Sequence, residues 1–180
     1  MKKILILGAL ISGAAMAGDL AVKDCLVQEV IPGKHMTGAF FTLENSGKDT
    51  VKLTAATADK ITSKVEIHEM IHKDGKMEMS QLQSYDVPPG EHQFKKGGYH
   101  IMLMDIEDKN FPKAGETYPM ELKFDNGETL KCDAKALTVE QAIEHFKAKA
   151  DKTDGHQHGD MKHDGHDGKK EEAKHEHKHG

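Results

Sequence analysis

Imidazole and thioether are the side chains in this sequence best suited to chemistry: the 180 residues include 13 His and 10 Met, but only 2 Cys and no Trp. Both groups are soft or borderline metal ligands. In the run Val65 to Ile71, side chains of an extended strand alternate between faces. Val65, Ile67 and Ile71 then share one face, and Glu66, His68 and Met70 share the other. In Tyr99 to Met104, Ile101 and Leu103 point one way while His100, Met102 and Met104 point the opposite way. Lys76-Met77-Glu78-Met79 adds two thioethers on a third segment. Met commonly fills gaps in cores. Here the core parity of two segments is already taken by Val, Ile and Leu, and a His-x-Met string occurs twice, at His68-Glu69-Met70 and His100-Ile101-Met102. A shared site of neutral nitrogen and sulfur donors selects a soft ion. Cu(I) fits best, because Zn prefers Cys, His or carboxylate and Mg or Ca demands oxygen. Such a site, without thiolate or carboxylate, leaves the charge of the ion uncompensated. It is expected at the protein surface, tight enough to capture an ion and weak enough to pass it on.

Strands must position these groups. From Leu20 to Leu137 short alternating runs are separated by Pro32-Gly33, Asn45-Ser46-Gly47, Asp74-Gly75, Pro88-Pro89-Gly90, Gly97-Gly98 and Asn126-Gly127. Asp-Gly and Asn-Gly are hairpin turns, since Gly tolerates positive φ. Eight or nine short strands without intervening helices predict an all-β sandwich or barrel over residues 18–137. The spacing then predicts a short amphipathic helix over 138–150. Thr138 and Gln141 form a capping box, and Val139, Ala142, Ile143 and Phe146 share a face. The string His68-Glu69-Met70-Ile71-His72 matches H-E-x-x-H, but that zinc motif needs a helix. In the strand expected here, His68 and His72 lie about 13 Å apart. No hydrolase constellation is found, and an enzyme is not expected.

Residues 1–17 read as a cleaved secretory signal: Lys2-Lys3, an apolar run from Ile4, then Ala15-Met16-Ala17 as a small-x-small cleavage site. The apolar run is shorter than the roughly 20 residues of a membrane span, and no Cys follows the cleavage site to carry a lipid. The mature chain is expected in the periplasm, an oxidising space, without stable membrane insertion and as a monomer. There Cys25 and Cys132 are candidates for a disulfide between the first and last strands of the domain. Basic residues are all Lys, and the net charge is −5, so a general nucleic-acid footprint is absent.

Residues 151–180 contain Gly, Asp, Glu, Lys and His with almost nothing apolar, a composition that predicts disorder. Seven of the 13 His fall there: His156, His158, His163, His166, His175, His177 and His179. Nitrogen donors interleaved with carboxylates suit Cu(II) or another divalent ion. Capture should weaken below about pH 6.5, where imidazoles protonate.

The stretch Val22 to Asp133 resembles the periplasmic PCu(A)C-type copper chaperones. The likeness is carried by His68-Glu69-Met70, Met77-Glu78-Met79, Val87-Pro88-Pro89-Gly90 and Lys96-Gly97-Gly98-Tyr99-His100-Ile101-Met102-Leu103-Met104. The family pattern runs His, ten residues, Met, about twenty-one residues, then His-x-Met. Here ten residues separate His68 from Met79, and twenty separate Met79 from His100. The resemblance implies a cupredoxin-like β-sandwich holding Cu(I) through His68, Met79, His100 and Met102, with Met77 the alternative to Met79. It also implies delivery to the dinuclear copper centre of a respiratory oxidase subunit, or to another copper carrier. Met70 and Met104 would stand beside the ligands or on a capture path, with His35, Met36 and His72 weaker candidates. An electron-transfer cupredoxin would need a Cys with two His, and no Cys lies near His100. A metal buffer acting mainly through the tail is the competing class.

Overall fold

Short alternating runs bury one face only when strands pair, and turn residues close each pairing. The structure, a computed structural model, describes residues 16–153, with side chains described for residues 18–148. The signal segment up to residue 15 and the seven His from His156 to His179 lie outside the described residues. The strands are β1 (Met16–Ala17), β2 (Leu20–Gln28), β3 (Thr37–Asn45), β4 (Val51–Thr57), β5 (Lys64–Lys73), β6 (Lys76–Leu82), β7 (Tyr85–Val87), β8 (Gly90–Phe94), β9 (His100–Met104), β10 (Thr117–Phe124) and β11 (Thr129–Leu137). One helix, α1 (Val139–Thr153), follows. This is the all-β sandwich with a C-terminal helix expected from the alternation. Pairing runs β6-β5-β9-β3-β2-β11-β10-β4-β7. β3 bridges the layers by changing partner: Thr37 to Ala39 pair with β9, and Phe41 to Asn45 pair with β8.

Both ends of that path contribute to one core. Ile67, Ile101 and Leu103 come from β5 and β9, while Leu53, Leu122 and Leu130 come from β4, β10 and β11. Fully burying a Leu or Ile contributes about 1.5–3 kcal/mol, so the core fixes which face of β5 and β9 points inward. β2 keeps its own inward face only by changing parity. Leu20 and Val22 enter the main core, then a bulge at Asp24 (φ 56°) shifts the register and Cys25 and Val27 become the residues of β2 that enter it. An extra residue in one strand has this effect. Cys25 and Cys132 are bonded across β2 and β11, with Cα atoms 6.3 Å apart.

Two local devices serve the site. Asp74 (φ 50°) and Gly75 (φ 75°) link β5 to β6 in a two-residue turn, with Lys73 facing Lys76. Two consecutive positive φ values are the type I′ geometry that matches strand twist, so the hairpin register is fixed. At the other end, α1 is capped as its sequence implies. The Gln141 N–H donates to Thr138 Oγ1 (3.1 Å), and the Thr138 N–H donates to Gln141 Oε1 (3.0 Å). Ala142 is buried, and Phe146 packs edge-on against Phe40 of β3 at 4.9 Å.

Candidate metal centre

Register brings the two His-x-Met strings side by side. β5 and β9 are antiparallel neighbours, with His68 opposite His100, Glu66 opposite Met102 and Lys64 opposite Met104. On the other flank of β5, Met70 faces Met79 and His72 faces Met77. Side chains directly across an antiparallel pair have Cβ atoms about 4.5–5.5 Å apart, and diagonal ones about 7–8 Å. Met79 is diagonal to His68, within reach of a long thioether. His68, His100, Met102 and Met79 therefore share one face, opposite the face that carries Ile67, Ile101 and Leu103 into the core. The parity read from the sequence holds.

The expected surface position of this face does not hold for three of the four residues. His100 is 5% exposed, Met102 6% and His68 9%. None of them belongs to the main core cluster; they are buried on the opposite side of the sheet. β3 flanks β9 beside these residues. Gly38 stands opposite Met102, and the Phe40 ring folds back so far over Gly38 that a Cβ there would meet it at 2.8 Å. Phe146 of α1 lies on that ring. Met79 and Met77 remain open, at 52% and 45% exposure. The arrangement has a buried floor of imidazoles and one thioether, and a rim of exposed thioethers.

Each imidazole is held through one nitrogen. The His100 Nδ1–H donates to the Gly98 carbonyl at 2.9 Å. The Gly97 turn (φ 82°), closed by a Gly98 N–H bond to the Lys95 carbonyl, aims that carbonyl at the ring. The lone pair of His100 then sits on Nε2. The His68 Nε2–H donates to Glu66 Oε2 at 2.8 Å, which places its lone pair on Nδ1. That Nδ1 is buried and has no hydrogen-bond partner. A buried acceptor left unpaired costs about 1–3 kcal/mol, unless its lone pair serves a ligand. The two rings lie 5.9 Å apart at centroid, tilted by 56°. Imidazoles that ligate metals characteristically have the other nitrogen tied to a carboxylate or carbonyl, which fixes the tautomer. Glu66 is the participant that sequence reasoning missed, for the site was read as free of carboxylate. Its position two residues before His68, on the same strand face, was the available signal.

Burial pushes the His100 imidazole below its ordinary value of 6.5; the Gly98 carbonyl opposes the shift and His68 adds to it. Burial therefore favours the neutral ring, the form able to ligate. The corollary is a stability effect. Above pH 6.5 the ring is neutral folded or unfolded. Below 6.5 the unfolded chain takes up the proton first, so stability falls as pH drops toward the lowered folded value. Thermal unfolding of the metal-free protein should show this decline, and His100→Gln should flatten it.

Other candidates lie elsewhere. The His35 Nδ1–H donates to the Ile106 carbonyl at 3.1 Å. His92 donates from Nε2 to the Pro88 carbonyl and accepts from the Tyr85 hydroxyl on Nδ1 (2.7 and 3.1 Å). Among the described residues no three His, Cys, Asp or Glu side chains converge as a metal cluster, so a metal on this face would need Met sulfur to complete its ligands.

The family model for LpqE-like putative lipoproteins matches residues 20–136. A putative lipoprotein of Leifsonia xyli subsp. xyli (strain CTCB07) is 31% identical over 117 residues, covering 64% of this chain and 69% of the relative. Among solved structures, the copper-bound PCuAC domain from PmoF2 superposes with a TM-score of 0.57 at 16% identity, over 70% of this chain and 98% of that domain. The apo form of DR1885 from Deinococcus radiodurans gives 0.51 at 25% identity, over 79% of this chain and 94% of that one. Its Cu(I) form gives 0.50 at 25% identity, over 69% and 80%.

Proposed function

The chain belongs to the LpqE-like family and has the PCuAC-type β-sandwich fold, and from that premise we propose that it is a copper chaperone, carrying Cu(I) on the face shared by β5, β6 and β9. The observation that carries this reading is the pair of buried imidazoles on adjacent strands, each tied through one nitrogen, with His68 Nδ1 left unpaired and Met102 diagonal to His68 on the neighbouring strand. His68, His100 and Met102 are the buried ligands, and Met79 closes the set from the rim. The relatives support the choice of ion, since the similar solved domains include one named as copper-bound and one named as a Cu(I) form. Glu66 adds a carboxylate one hydrogen bond away from the ion, offsetting its charge without ligating it. The exposed thioether is the donor an acceptor would displace first.

The relatives named as lipoproteins point to the cell envelope, and we read this chain as secreted to the periplasm. Cys25 is bonded to Cys132, so neither cysteine serves as a lipid attachment point. The recipient we propose is the dinuclear copper centre of a respiratory oxidase subunit, and the tail His collect Cu(II) or another divalent ion. Seven His in the last 30 residues also favour a second reading, a buffer that stores metal on the tail.

The test is titration of Cu(I) against a competing chelator. Met79→Leu with Met102→Leu keeps apolar bulk and removes sulfur. Affinity should fall by about tenfold or more, the effect of losing about 1.4 kcal/mol. Unchanged affinity would mean that these thioethers are not ligands. Deleting residues 154–180 should leave the tight equivalent in place; loss of most copper capacity would favour the buffer.

A further inference from the structure

The face of the metal centre continues outward along the β5–β6 hairpin. From the turn inward, His72 faces Met77, then Met70 faces Met79, then His68 stands between Gln81 and His100. Each step of two residues advances about 7 Å along the strands. Along β5 exposure falls on the same line: His72 is exposed, Met70 is half-buried and His68 is buried, while Met77 and Met79 on β6 both stay open, at 45% and 52%. His72 lies about 13 Å from His68, too far to ligate the same ion. Met77 is too exposed for its thioether to serve as core filler, and the fixed type I′ turn holds it opposite an imidazole. A solvent-facing cross-strand pair adds little to folding.

We propose that His72 and Met77 form a second, weaker Cu(I) station at the hairpin tip, through which the ion enters and leaves the buried centre by way of Met70 and Met79. The inference rests on the copper reading above and adds a site and a route to it. The ion stays monovalent throughout. At each step a bond to the next sulfur or nitrogen forms as one to the previous donor breaks, and no electron or proton is consumed. A station on the route speeds loading and release equally, so removing it changes rates without changing the equilibrium at the buried centre.

The experiment uses the full chain and Cu(I) supplied as its bicinchoninate complex, with loading and release followed by stopped-flow absorbance. His72→Gln with Met77→Leu should slow both directions by about tenfold, equivalent to about 1.4 kcal/mol on the barrier. Affinity at the buried centre should stay within about twofold. Methyl NMR of 13C-labelled Met gives the second readout. The Met77 methyl should shift with the second equivalent of Cu(I), and should not do so in His72→Gln. Unchanged rates overturn the proposal. A silent Met77 methyl while those of Met79 and Met102 move also overturns it, leaving the buried centre intact. If the Met79 and Met102 methyls stay silent as well, the copper reading itself fails, and the station with it.

Discussion

His68→Leu should lower Cu(I) affinity by about a hundredfold or more, since loss of even an outer-shell partner costs about 10–100-fold, while leaving the metal-free protein at least as stable as the parent. The two effects have opposite signs because of how the ring is placed. Its Nδ1 is buried without a partner, so the folded apo protein carries the penalty of an unpaired acceptor. Leu of similar size removes that penalty of about 1–3 kcal/mol. What is lost is the bond to Glu66, whose side chain is 20% exposed and can turn to water. His100→Leu should behave differently. It strips the Gly98 carbonyl of its partner and should destabilise the fold as well as abolish binding. Thermal unfolding of the apo variants, alongside chelator competition, separates these outcomes. If His68→Leu loses several kcal/mol of stability, the residue is a structural His and the ligand assignment fails.

The face that carries the proposed ligands was legible in the sequence because its cause is local. Alternation in Val65 to Ile71 and in Tyr99 to Met104 is a local property, and it put His68 with Met70 and His100 with Met102 on the face away from Ile67, Ile101 and Leu103. The turn at Asp74-Gly75 and the cap at Thr138 are equally local, and both appear where the residues demand them. What stayed hidden depends on contacts distant in sequence. Nothing within β5 specifies that His68 pairs with His100 and not with a neighbour two residues away; β9 and β3 set that register through the core. Nor does alternation reveal that Phe40 and Phe146 pack together over Gly38, the residue opposite Met102. The three-residue β7 is too short to show a period, and Pro88-Pro89 directly after it reads as a turn. The bulge at Asp24 changes the parity of β2 midway, which simple alternation does not show.

Breaking the Cys25–Cys132 bond with Cys25→Ser and Cys132→Ser should have the largest effect on stability. The link closes a segment with a sequence separation of 107, and in the chain-entropy view such closure removes about 4–5 kcal/mol of freedom from the unfolded chain. That is a large share of the about 5–15 kcal/mol by which domains are stable. The midpoint should therefore fall by about 10 °C or more, and reductant should move the parent to the same value. The position of the bond matters beyond its loop length. β2 meets β11 through only three parallel residue pairs, Leu26 to Gln28 against Lys135 to Leu137, and the bond at Cys25 extends that seam by one residue, up to the bulge at Asp24. β2 in turn pairs with β3, which places Gly38 opposite Met102. The proposed ligands lie on β5, β6 and β9, whose mutual pairing does not involve β2. Well below the lowered midpoint, Cu(I) affinity should then match the parent within about twofold. A midpoint that does not move would show that the two thiols are not joined in the folded protein. An affinity that collapses at temperatures where the variant is still folded would show that the β2–β11 seam, and not the β5–β9 register, holds the two imidazoles in place.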